Sequence, residues 1–174
     1  MAELPDGITL EANRDLSGRS RRPWYRRGLL CCVAALPILA LLNVFGQKPS
    51  NTSVSTQAAS LSVNAPSALR GGLVFQVRVE VVAHQDIHEL EIIFDRGWWE
   101  AMTVNSITPE PEESSIQGNQ VALAFGKLPT GHKLTVWIQF SVNPTNVGKR
   151  GENVGLADNS VPLAHLDRSL TIFP

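Results

Sequence analysis

Two imidazoles and a carboxylate fall within five residues at His84, Asp86 and His88, in the stretch HQDIH. Donors packed that densely can hold a divalent metal. Histidines four apart share a side only on a helix, however, and this stretch joins two segments of strand period, so it reads as a polar turn. The second dense cluster is EPEESS, Glu110 to Ser115. Its oxygens suit calcium, but the alternating acidic spacing around a glycine that marks a calcium loop is missing, and a solvated hairpin loop is expected. Glu89 and Glu91 lie on one face of a strand, whereas paired carboxylates that work as acid and base come from separate elements around a cleft. No G-x-S-x-G, Walker-type glycine loop or H-E-x-x-H occurs. Cys31 and Cys32 are the only thiols, so the region after Phe45 can build neither a disulfide nor a thiolate zinc site. The sequence predicts no enzyme, no cofactor and no metal.

The aromatic residues are more informative. Trp98 and Trp99 adjoin in DRGWWEAM, just past a strand end. Neighbours in extended chain point opposite ways, so one ring is expected in a core and the other at the rim, with Gly97 leaving the register open. Trp137 alternates with apolar residues and lies on the polar face of its strand. Tryptophan is amphipathic and enriched where proteins meet. Trp98, Trp99 and Trp137 are therefore the candidate partner contacts.

The elements that must position them divide the chain. Residues 28–46 carry no charge, and 19 residues of helix span roughly 28 Å, close to a bilayer core of about 30 Å. Arg19, Arg21, Arg22, Arg26 and Arg27 precede this run, and only Lys48 follows closely. The positive-inside rule then sets the N-terminus in the cytoplasm and the C-terminal region outside a cell membrane, with Trp24 and Tyr25 at headgroup depth. A cleavable signal peptide and a twin-arginine signal, suggested by SRRPWYR, are the alternatives. The run is longer than a usual signal peptide's and lacks A-x-A. From Gln47 onward there are nine basic and twelve acidic residues. No basic stripe is available for nucleic acid. The expected divisions are a basic cytoplasmic tail (1–27), a transmembrane helix (28–46), a Ser/Thr-rich linker (47–59) and an outer domain (60–174).

In the outer region the hydrophobic period becomes two. Leu73 to Val81 and Leu134 to Val142 alternate most clearly, followed by Leu90–Phe94 and Val121–Phe125. Leu61–Asn64, Met102–Ile107, Asn153–Leu156 and Ser169–Phe173 alternate more weakly. Turn residues separate these segments, as in RGG (70–72), QGNQ (117–120) and NPTNVGKRG (143–151). An all-β, Ig-like antiparallel β-sandwich of seven to eight strands is expected, preceded by one transmembrane helix. SALRGGLVFQVRVEV followed by FGKLPTGHKLTVWIQFSVNPTNVG resembles bacterial extracytoplasmic Ig-like modules of the CARDB and DUF11 type. The resemblance covers roughly residues 59–174 and implies adhesion, presentation or assembly rather than catalysis. The expected partners are the lipid bilayer, through residues 28–46, and a membrane or envelope protein. The alternative is a domain that binds a glycan or other ligand through exposed aromatics.

Overall fold

Alternation along two ten-residue strands sets the core. On one, Phe75, Val77, Val79, Val81 and Ala83 point inward, and on the other Val136, Ile138, Phe140 and Val142 do so. Their intervening residues are polar or half-exposed, which is the pattern of strands buried on one face. The computed structural model describes residues 22–42, 47 and 49–174. The elements in chain order are α1 (Arg22–Leu41), β1 (Pro49–Ser55), β2 (Ala59–Pro66), β3 (Ala68–Arg70), β4 (Val74–Ala83), β5 (Leu90–Asp95), β6 (Met102–Thr108), β7 (Glu113–Gln117), β8 (Gln120–Ala124), β9 (Lys133–Val142), β10 (Gly148–Gly151), β11 (Val154–Asp158), β12 (Val161–Leu166) and β13 (Ser169–Phe173).

The strands form a β-sandwich. One five-stranded sheet has the order β1-β2-β4-β9-β6, and the second has the order β12-β11-β5-β8-β7. A three-stranded sheet, β10-β13-β3, completes it, with β13 and β3 parallel and every other pair antiparallel. The inner faces meet in one hydrophobic cluster containing Leu61, Val79, Leu90, Ile92, Phe94, Trp98, Ile138, Phe140, Leu156 and Leu170. Side chains of this size each contribute about 1.5–3 kcal/mol when fully buried. The turn into β4 needs Gly72, whose φ of 79° lies in the left-handed region.

Three expectations are corrected. Among the described residues there are thirteen strands rather than seven or eight. The five unforeseen ones are β1, β3, β7, β10 and β12, which are short or lack apolar alternation. Residues 49–55, expected to be linker, form β1 and pair with β2 along their whole length. Backbone bonds hold that strand to the sheet, and Val54 is its one apolar inward residue.

The third correction concerns α1, which begins at Arg22 rather than Gly28. Arginine is a good helix former, and Pro23 falls in the first turn, where no backbone N–H is needed. The helix is 20 residues long, about 30 Å, and its Trp24–Leu41 stretch has a mean hydropathy of 1.4 and is wholly unburied. Length and composition therefore allow it to cross a membrane. Arg22, Arg26 and Arg27 lie on the helix rather than in a separate tail, and Trp24 and Tyr25 are exposed in its first turns. Arg19, Arg21 and the 43–46 end of the expected span fall outside the described residues.

Candidate interaction surface

The strand order β1-β2-β4-β9-β6 brings five outward residues into one row. Asn51 pairs with Asn64, Asn64 with Arg78, Arg78 with Trp137, and Trp137 with Thr108. With strands about 4.8 Å apart, the row is roughly 19 Å long. Ser53, Ser62, Glu80 and Thr135 form the next row, and Gln76, Gln139 and Ser106 flank the other side. The face is thus mostly polar, with small side chains on β1 and β2, longer ones on β4, and one large aromatic ring on β9. Trp137 is 39% exposed.

Charged groups hold that ring in place. The Arg78 guanidinium lies over the indole, 5.4 Å from the ring centroid. Arg78 Nε is 3.6 Å from Glu80 Oε1, and Lys133 Nζ approaches the same oxygen at 2.9 Å. The hydrogen bond donated by Lys133 holds the Glu80 carboxyl below the usual range. Glu80 is shared by two cations, and of these Arg78 is the one that lies over Trp137. The alternation of Gln76, Arg78 and Glu80 is visible in the sequence, but their place beside Trp137 follows only from the β4–β9 pairing.

The tryptophan pair lies elsewhere and is corrected. Residues Arg96–Trp98 form a turn of 3-10 helix rather than extended chain, so the two rings do not point opposite ways. Both pack against Phe94 and Phe140, with centroid distances of 5.6 to 6.0 Å. Trp98 is fully buried and its Nε1 donates to the Asn153 carbonyl at 3.2 Å. It is a core residue and can touch no partner. Trp99 is half-buried, and its indole nitrogen is enclosed. Of the three candidates, Trp137 alone presents its ring on an outer sheet face.

Over Trp98 sits a polar cluster that sequence reading missed. The Arg168 guanidinium lies 5.5 Å from the Trp98 ring centroid and donates to the Ala65 and Pro66 carbonyls. Arg168 Nε stands 4.0 Å from Glu152 Oε2, and Glu152 is fully buried. Arg150 donates to Asn146 Oδ1 and to the Glu100 carbonyl, and Asn146 Nδ2 donates to the Ala101 carbonyl. These bonds tie the tryptophan turn to the loops on either side of β10. Burial pushes the Glu152 carboxyl up to about 8, against the pull of Arg168 and Arg150. Its one local signal is a lone Glu in GENVG, which looks like any surface loop.

The residues weighed for metal chemistry diverge. His84 Nδ1 and Nε2 engage the Thr56 carbonyl and Ser60 Oγ. Asp86 accepts from the Thr130 N–H and hydroxyl, bonds that hold its carboxyl low. His88 turns to Asp158. Among the described residues, no group of three or more metal-ligating side chains converges. Glu89 and Glu91, with Glu113, border a shallow hollow floored by Ala122 and Ala124 on the opposite sheet.

No protein-family model matches the sequence. No curated protein matches it either. Several solved structures are similar in outline. One is AvmM, which catalyzes macrocyclization in alchivemycin A biosynthesis, with a TM-score of 0.48 at 9% identity over 73% of this chain and 97% of that one. Another is a non-cellulosomal cohesin from the archaeon Archaeoglobus fulgidus, at 0.39 and 12% over 73% and 92%. A third is the cohesin ScaC of Acetivibrio cellulolyticus, solved in complex with the ScaB dockerin, at 0.40 and 13% over 62% and 94%. With TM-scores below 0.5, these likenesses extend to a β-sandwich outline and assign neither activity nor partner.

Proposed function

We propose that the chain is a single-pass membrane protein whose β-sandwich binds another membrane or envelope protein, as an accessory or assembly subunit. The observation that carries this reading is Trp137, 39% exposed on the outer face of the five-stranded sheet, with the Arg78 guanidinium over its ring and Arg78 itself paired with Glu80. A rigid aromatic anchor among polar side chains suits a protein contact. Sugar stacking is less well served, because the guanidinium already lies over the ring. The apolar helix supplies the anchor, and the arginines before it and in its N-terminal part orient the sandwich away from the cytoplasm. The resemblance to CARDB and DUF11 modules points the same way.

The test is Trp137→Ala in the intact protein, purified in mild detergent with its partner. Loss of a central tryptophan costs about 2 kcal/mol of binding or more, so partner recovery should fall roughly 30-fold. The melting temperature should stay within about 3 °C of wild type, because the ring lies outside the core. Undiminished recovery would rule out Trp137 as the contact. A glycan array hit that vanishes with the same substitution would favour the ligand-binding alternative.

A further inference from the structure

Sheet edges are the natural place for one chain to add to another, and natural folds protect them. In this sandwich five of six edges carry such protection. On β6 the register breaks between Val104 and Ser106, and Pro109 follows the strand. The pairing of β12 breaks beside Leu156 and Ala157, and Pro162 stands inside it. β7 has five residues and opens on Glu113, β10 has four with Lys149 and Arg150, and β3 has three and ends on Arg70.

β1 is different. It has seven residues, no charge and no bulge, and it runs in unbroken register with β2 from Pro49↔Pro66 to Ser55↔Ser60. Its side-chain bonds turn toward β2, where Ser62 donates to Asn51 and Ser55 meets Ser60. Outside the β1–β2 ladder, no backbone hydrogen bond among the described residues involves residues 49–55. Its proline stands at the first position, where it leaves the rest of the edge open.

We infer that the open edge of β1 pairs antiparallel with β1 of a second copy, joining two five-stranded sheets into one ten-stranded sheet. The sequence of the strand is compatible with its own reversal about Thr52. Thr52 then faces Thr52 of the second copy, Asn51 faces Ser53, and Ser50 faces Val54. No like charges oppose, and a threonine pair across strands is favourable. Outward residues meet outward residues, so both sheets keep the same buried face. An isologous contact of this kind closes at two copies. The choice of a second copy rests on the membrane anchor proposed above. Pro49 lies seven residues beyond Leu42, so β1 is the first strand after the helix in sequence. Two copies anchored in one bilayer, or in one detergent micelle, meet at a high effective concentration, which lets a short strand contact suffice.

Two charge variants of the full chain in detergent test this, read by light scattering after gel filtration. Wild type should have a protein mass twice the 18.9 kDa of one chain. Asn51→Lys with Ser53→Lys sets lysine against lysine at two pairs, and should weaken the dimer at least tenfold, an order-of-magnitude expectation from like-charge opposition. Asn51→Glu with Ser53→Lys sets opposite charges at the same pairs and should keep the dimer. Both positions are exposed on the outer face, and circular dichroism checks that each variant is folded. A monomeric wild type would overturn the proposal. So would a dimer that survives the double lysine, since the contact would then lie elsewhere, or a folded Glu/Lys variant that fails to pair. Trp137→Ala should leave the dimer intact, so loss of partner binding and loss of self-pairing are separable.

Discussion

Gly97→Ala is expected to destabilise the sandwich by about 3 kcal/mol. A Cβ on Gly97 would overlap the Gly151 carbonyl oxygen and come within 2.9 Å of its carbon. Neither atom belongs to a flexible side chain that could swing away. The tryptophan turn or β10 would have to shift, and both are pinned. Trp98 is locked between Phe94, Phe140 and Arg168, and Asn146 and Arg150 bond the carbonyls of Glu100 and Ala101. Overpacking a well-filled site costs about 1–3 kcal/mol and sometimes more, and this overlap belongs at the upper end. For a domain of this size, 3 kcal/mol lowers the melting temperature by roughly 10 °C. Gly118→Ala is the control, because nothing lies within 4 Å of its Cβ although its φ is 62°. It should cost about 1 kcal/mol, the ordinary penalty of a left-handed alanine. Thermal unfolding of both variants, followed by near-UV circular dichroism, measures the difference. Equal melting temperatures would show that the β10 loop yields freely.

That close approach shows what was legible in the sequence. Alternation placed β4 and β9 correctly because both are long and bury one face completely. The shorter β5 was visible because it too buries one face completely, whereas on β8 the adjacent Ala122 and Leu123 are both buried and the alternation is carried by the sequence alone. β1 was not, because PSNTSVS carries one apolar residue and owes its place to backbone pairing. The fate of Trp98 and Trp99 depended on Gly97. Only a residue without Cβ lets the chain turn in 3-10 geometry against Gly151, and that contact joins residues more than fifty positions apart. Trp137 was identified as a surface aromatic from its strand face, whereas Arg78 beside it required the pairing of β4 with β9. Glu152 gave no signal, since burial of a charged residue is set by the packing of three loops around it.

Glu152→Gln is expected to flatten the pH dependence of stability and to raise stability at pH 8. The Glu152 side chain is fully enclosed, and neither carboxyl oxygen has a hydrogen-bond partner. Burial therefore favours the protonated acid, and Arg168 and Arg150 offset this only in part, leaving the group near 8 in the fold against a reference value of 4.5. Between those values the native chain holds a proton that the unfolded chain has released. Folding stability must then fall as pH rises through that window, by at most about 1.4 kcal/mol per unit. Burial also lowers the Arg168 guanidinium from its usual value, but a guanidinium still carries its charge in this range, so the slope is assigned to the carboxyl. From pH 5.5 to 7.5 the wild type should lose roughly 1–3 kcal/mol. Glutamine keeps the shape without the ionisation, so its curve should lack this slope. The four histidines are the same in both proteins, so the difference between the two curves cancels whatever they contribute. Urea unfolding at four pH values gives both curves. Parallel curves would mean that Glu152 is ionised in the fold and fully compensated by Arg168 and Arg150, and the cluster would then be a buried ion pair that stabilises the end of the sandwich at neutral pH.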